Sequence, residues 1–276
     1  MHYYFYPTFI IISFLIIYVS RNYNFFLDNK IDSHKKLLNP NKNFFLGGVI
    51  FLLYMTPFLI ISNNFILLLF LSFIFLLGLL SDLKLLDDPK KRFIFQALII
   101  FLFVSILDIR IFSSRLDIVD LYLQNQYLNY FFVVFCLMVF MNGSNFIDGL
   151  NTLLITYIIL ILIVFLIFFK NSMPMINNFY ELIFILSFIF ILNSFGIIIL
   201  GDSGAYLISI FLGIHLIDFT NQNYIVSPYF IILLFWYPCF ELLFSMMRRF
   251  TSNSKTYNAD TNHLHQLLYL KIFKHN

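Results

Sequence analysis

The sequence predicts an all-α, polytopic integral membrane protein of about nine transmembrane helices, and three observations predict it. Hydrophobic residues make up 61% of the 276 residues, charged residues only 11%, and the mean hydropathy is +0.89. A water-soluble domain is nearer half apolar and a quarter charged, so this chain has too little polar surface to face water all round. The apolar residues also fall into long runs at 44–61, 65–80, 153–169, 179–200 and 229–247. About 20 residues at 1.5 Å rise span a hydrocarbon core of roughly 30 Å. Runs without two-residue alternation exclude a β-barrel, and helices are the remaining way to satisfy every backbone group in lipid.

Taken in order, the spans are predicted at about 3–19, 44–61, 65–80, 93–107, 129–141, 153–169, 179–200, 204–217 and 229–247. The first lacks a basic leader region and a small-x-small cleavage site, so it reads as a retained span rather than a signal peptide. The fifth and eighth are short for a crossing. Asp88-Pro89 has the form of an N-cap and first helical residue for the fourth span. The segment 108–128 is amphipathic and suited to lie along the interface. Cys136 and Cys239 both sit in apolar runs and read as free thiols rather than a disulfide framework or a metal site.

Nine crossings place loops 21–43, 81–92, 142–152 and 201–203 and the tail 248–276 on one side. That side holds fourteen of the seventeen Lys and Arg, leaving Arg110, Arg115 and Lys170 for the other. By the positive-inside rule the basic side is cytoplasmic, which puts the N-terminus outside and the C-terminus inside. Four polar clusters come out on that same face: SDLKLLDDPKKR at 81–92, MNGSNFIDGLN at 141–151, GDSG at 201–204 and NADTNHLHQ at 258–266. A single domain over 1–276, with residues 248–276 as a cytoplasmic tail carrying His263-Leu264-His265, follows from this layout.

Asp82, Asp148 and Asp202 lie at the predicted cytoplasmic ends of three helices and suit a hard cation such as Mg²⁺, which takes oxygen ligands and keeps waters for a phosphate-bearing substrate. Asn142 and Asn145 add amide groups, and Gly143 and Gly149 allow close backbone approach. His263, His265, Arg248 and Arg249 supply phosphate donors. The pattern points to metal-assisted phosphoryl chemistry at a membrane surface. Bland readings compete at single positions. Lys90, Lys91 and Arg92 read as positive-inside anchors, Glu181 as a solvated acid at a helix start, and His215 and Asp218 as interfacial residues. Glu241, inside the ninth run, is a functional candidate by its depth.

These motifs resemble those of the polyprenyl-phosphate N-acetylhexosaminyl-1-phosphate transferases (glycosyl transferase family 4), over about residues 28–266 and in family order. Asn142, Asn145, Asp148 and Gly149 resemble the N-x-x-N-x-x-D-G motif; Gly201, Asp202, Ser203 and Gly204 resemble G-D-S-G. Ser81-Asp82 with Pro89 and Arg92 resembles the D-D…P-x-x-R loop. His263 and His265, preceded by Pro238, Glu241, Arg248 and Arg249, resemble the C-terminal histidine motif. Asp32, His34, Lys35, Pro40 and Gly47-Gly48 resemble the first cytoplasmic loop. Ser81 stands where most members have an aspartate, and Asn151 where many do.

The resemblance implies transfer of an N-acetylhexosamine 1-phosphate from a UDP-sugar to polyprenyl (undecaprenyl) phosphate, with release of UMP, at the cytoplasmic face of a bacterial inner membrane. The departures favour an enzyme that starts a surface polysaccharide such as O-antigen over the phospho-N-acetylmuramoyl-pentapeptide transferase. It further implies Mg²⁺, with Mn²⁺ as a substitute, held by Asp202, Asn145 and Asp82. Asp82 and Asp202 would be catalytic; Asn142, Asp148, Gly149, His34, Lys35, Arg248, Arg249, His263 and His265 would bind substrate. The expected partners are the UDP-N-acetylhexosamine, the prenyl phosphate and the bilayer, with a homodimer as an option and no nucleic acid. A secondary transporter with intramembrane acids and an inactive relative serving in an assembly are the rival classes.

Overall fold

The computed structural model describes residues 2–27, 44–169 and 176–251, with Leu264, Leu267, Leu268 and Lys271 beyond them. Among the described residues eleven helices follow one another: α1 (His2–Tyr23), α2 (Gly47–Ile61), α3 (Phe65–Asp82), α4 (Pro89–Ile106), α5 (Asp117–Leu123), α6 (Gln126–Ile147), α7 (Leu153–Phe169), α8 (Ile176–Ser194), α9 (Gly201–Gln222), α10 (Pro228–Leu234) and α11 (Trp236–Thr251). Among the described residues there is no strand, only isolated bridges pairing Leu27 with Phe44 and Phe45 with Ile199. The all-α class holds.

Among the described residues four helices are long and apolar enough to cross a membrane: α1 from Phe5, α3, α6 and α9. A fifth counts if α10 and α11 are one bent span; α2, α7 and the Phe179–Ser194 part of α8 are apolar but shorter. The fifth and eighth predicted spans turn out to be the cores of α6 and α9, at 22 residues each among the longest helices. Their polar ends, which hydropathy trims away, are helical.

The ninth predicted span is not one straight helix: the apolar run 229–247 breaks at Phe235, with 70° between the two pieces. Pro238 explains the break. It has no N–H to give the carbonyl four residues back, which is that of Leu234. The Tyr157 hydroxyl donates to the Leu234 oxygen at 2.5 Å instead.

The centre of the bundle is α9, buried from Ser203 through Ile214, with α2, α3 and α6 packed directly on it. α4 lies on α3 and α6, α7 pairs with α8, and α11 lies on α6. Two serines inside this apolar mass satisfy themselves locally. Ser13 donates to the Phe9 carbonyl at 2.8 Å and Ser209 to that of Ala205 at 2.5 Å, one helical turn back.

Small residues let the central helices touch. A Cβ on Gly78 of α3 would lie 2.4 Å from the Ser203 Cα of α9, so the two backbones meet there. Gly143 of α6 does the same for α11, where a Cβ would come 2.3 Å from the Pro238 carbonyl oxygen.

At the other end of the bundle, Glu181 is not the solvated acid its place in the sequence suggests. The hydroxyl of Tyr6 donates to it at 2.8 Å and that of Tyr54 does so as well. The bond ties α1 and α2 to α8. Outside the helical core, α5 covers only Asp117–Leu123 of the amphipathic segment. The residues before it are held by Asp120, which accepts from the Ser113 and Ser114 hydroxyls at 2.7 Å each.

Gly78→Ala is expected to destabilise by about 1–3 kcal/mol, the usual cost of overpacking, because backbone cannot step aside. Gly213→Ala should cost less, since its Cβ meets side chains alone, the flexible Leu137 end at 2.7 Å and the Phe140 ring at 3.6 Å. Thermal unfolding of the two variants in one detergent checks the order; equal shifts would refute the backbone contact between α3 and α9.

Candidate active site

The site begins with a helix that cannot cap itself. α9 starts inside the bundle, and Leu200 at its N-cap position offers no side-chain acceptor. The first amides of a helix need acceptors. Asp82, the last residue of α3, supplies them: its Oδ1 accepts from the Asp202 amide at 2.8 Å and its Oδ2 from the Ser203 amide at 3.0 Å. Gly201 turns the chain into this cap at φ +75°, and a Cβ there would sit 2.7 Å from Asp82 Oδ2. Asp82 is 8% exposed. A carboxylate so buried is tolerable because two amides and the positive end of the helix dipole face it.

The cap places Asp202 in the first turn of α9 with its carboxylate turned to a second group. Ser81 donates to Asp202 Oδ2 at 2.5 Å. The Arg92 guanidinium donates to the same oxygen at 3.1 Å and also to the Ser81 hydroxyl. Arg92 and Asp202 form an ion pair with side chains about a quarter exposed, at 26% and 22%. Arg92 is therefore not the membrane anchor it resembles in the sequence. The Asp88–Pro89 start of α4, where the Lys90 amide donates to Asp88 Oδ1 at 3.0 Å, aims it inward. An open cleft of about 450 Å³ lies over Asp87, Asp88, Pro89 and Lys90, one turn before it in the chain.

The MNGSNFIDGLN stretch is largely helix, not loop. α6 runs through Ile147, Asp148 takes the C-cap position, and only 148–152 turn. Asn142 bonds back to the Met138 carbonyl at 2.9 Å, which lets an asparagine sit inside a helix. Asn142, Asn145, Asp148 and Gly149 are all half-buried.

Asn193 joins this stretch to the Asp202 region, and the sequence gives it no motif. It is 2% exposed at the end of α8. Its Oδ1 accepts from the Thr152 amide at 2.7 Å, and its Nδ2 donates to the Ile198 carbonyl at 2.9 Å. The turn after α6 and the strand-like lead into α9 are thus held side by side. The start of α2 joins them, with the Gly47 amide donating to Ile199 at 3.0 Å and the Ile199 amide to Phe44 at 2.9 Å.

The structure therefore brings Ser81, Asp82, Arg92 and Asp202 into one cluster and sets the α6 motif on the helix packed beside it. No hydrogen bond or ion pair links Asn142 or Asn145 to the two aspartates among the described residues. Glu241 on α11 is 2% exposed, and the Leu264 amide donates to its Oε1 at 3.2 Å. The Arg248 guanidinium lies 5.6 Å from the centre of the Phe244 ring. His34, Lys35, His263 and His265 lie outside the described residues, as does the Arg249 side chain.

Among the described residues no group of three or more His, Cys, Asp or Glu side chains could cage a metal ion. The donors present suit a different arrangement. Asp202 can offer an oxygen to a cation whose other ligands are waters and substrate phosphates, the arrangement Mg²⁺ usually adopts.

An all-α bundle with four membrane-length helices among the described residues, and a half-buried acid–arginine cluster at a helix N-terminus, has the build of a membrane-embedded enzyme handling anionic groups. The chain belongs to glycosyl transferase family 4, whose family model matches residues 64–220, more than half of it. That makes it a transferase, and it supports sugar-1-phosphate transfer from a nucleotide sugar to a polyprenyl phosphate in general. No curated protein and no solved structure matches the chain.

Asn193→Ala would leave the Thr152 amide and the buried Ile198 carbonyl without partners, and is expected to cost about 1–3 kcal/mol. Loss of thermal stability together with faster proteolysis within 148–152 is the expected result. A variant as stable as the parent would show that Asn193 does not hold the two segments.

Proposed function

We propose that the chain transfers an N-acetylhexosamine 1-phosphate from a UDP-sugar to undecaprenyl phosphate and so starts a surface polysaccharide such as O-antigen. It does so as one domain over 1–276 with nine crossings of a bacterial inner membrane, its N-terminus outside and its site cytoplasmic. The observation that carries the reading is the Ser81–Arg92–Asp202 cluster on the Asp82-capped start of α9, in a family 4 chain.

In the reaction a terminal oxygen of the prenyl phosphate attacks the β-phosphorus of the UDP-sugar. The bond from that phosphorus to the bridging oxygen breaks, and UMP leaves with the electron pair. Mg²⁺, when bound, would neutralise the diphosphate charge. Asp202 would hold it, with Asn145 beside it, and Mn²⁺ would substitute. Arg92 and the first turn of α9 present positive charge to the phosphates. Asp82 fixes the helix that carries Asp202. Asn142, Asp148 and Gly149 line the nucleotide side, and His34, Lys35, Arg248, Arg249, His263 and His265 serve the diphosphate and sugar.

The test is UMP release by purified protein in lipid nanodiscs given undecaprenyl phosphate, Mg²⁺ and a panel of UDP-sugars. UMP should appear with at least one UDP-N-acetylhexosamine and vanish with EDTA. Asp202→Asn should lower the rate by about 10²-fold or more, as loss of a fixed charge at a phosphoryl site does. No UMP from any UDP-N-acetylhexosamine would refute the proposal.

A further inference from the structure

Asp82 and Asp202 bring four carboxylate oxygens to the start of α9, and the protein itself engages three of them. Both Asp82 oxygens accept backbone amides, at 2.8 and 3.0 Å. Asp202 Oδ2 accepts from Ser81 at 2.5 Å and Arg92 at 3.1 Å. A divalent cation arriving alone therefore meets a carboxylate whose charge is already balanced, with a guanidinium beside it that repels it. A phosphate offers Arg92 an alternative partner that a metal ion does not. Its planar fork fits a phosphate as well as a carboxylate, whereas nothing on a hydrated metal ion can replace Asp202 for it.

We infer that Arg92 is the resident counter-ion of Asp202 and gives up that place only to a diphosphate. In the absence of nucleotide, the cluster takes a divalent cation poorly. A nucleoside diphosphate draws the Arg92 guanidinium onto its phosphate oxygens, freeing Asp202 Oδ2 for the cation. Ser81 permits the exchange because its hydroxyl both accepts from Arg92 and donates to Asp202, so it can follow either. Binding of diphosphate and cation is then coupled through one side chain, and the coupling is reciprocal. The diphosphate half of this inference rests on the function proposed above; the metal half does not.

The test is binding, not turnover. Mn²⁺ alone is titrated into wild type, Arg92→Gln and Ser81→Asp protein in nanodiscs, with bound ion read by electron paramagnetic resonance. UDP binding is measured separately in EDTA. Arg92→Gln should bind Mn²⁺ at least about fivefold more tightly than wild type and metal-free UDP at least about fivefold more weakly, the low end of ordinary coupling. Ser81→Asp, which adds an oxygen and competes for Arg92, should also tighten Mn²⁺ binding, and covers the case in which Arg92→Gln does not fold. Mn²⁺ bound by wild type as tightly as by these variants overturns the inference. Tighter Mn²⁺ binding by the variants with no UDP binding by wild type upholds Arg92 as counter-ion and overturns the diphosphate reading instead.

Discussion

The structure depends on one carboxylate capping a helix that is not its own. α9 is the most buried of the four membrane-length helices among the described residues, and its first turn lies inside the bundle, where amides left without acceptors would be costly. Asp82 closes that turn from the end of α3 with two hydrogen bonds. The arrangement demands that α3 and α9 touch, and Gly78, one turn before Asp82, is where their backbones meet. It demands a sharp entry into α9, which Gly201 provides at positive φ. Cap, contact and turn are one constraint met by three residues.

That constraint also builds the site. Because Asp82 serves the first amides, Asp202 is free to point its carboxylate at Ser81 and Arg92. α4 reaches the same point because Asp88 and Pro89 start it there. Asn193 and the start of α2 then hold the neighbouring segments against the lead into α9. A positive helix end, a guanidinium and a carboxylate within hydrogen-bond reach of each other suit phosphate groups arriving with a cation. A family 4 transferase has use for both.

Much of this was legible in the sequence. Long apolar runs reported the helices, and Asp88-Pro89 reported the start of α4. What escaped notice did so for physical reasons. The polar end of α6 looks like a loop because hydropathy does not register an asparagine that bonds back to Met138 within its own helix. Arg92 was marked by the P-x-x-R resemblance alone, since the charge of a residue after two lysines does not tell which way a guanidinium points. Asn193 through its bond from Thr152, and Glu181 through Tyr6 and Tyr54, depend on partners more than 40 residues away. The break at Phe235 had a signal in Pro238, masked by the unbroken hydrophobicity around it.

The most direct measurement is amide hydrogen exchange at the start of α9 in the parent and in Asp82→Asn. The cap accounts for protection of the Asp202 and Ser203 amides, and a charge-assisted bond contributes about 1.5–3 kcal/mol. Exchange at those two amides should accelerate at least about tenfold in the variant, while residues 207–216, deep in the bundle, keep their protection. Unchanged exchange at Asp202 and Ser203 would contradict the account, because the helix start would then not depend on Asp82.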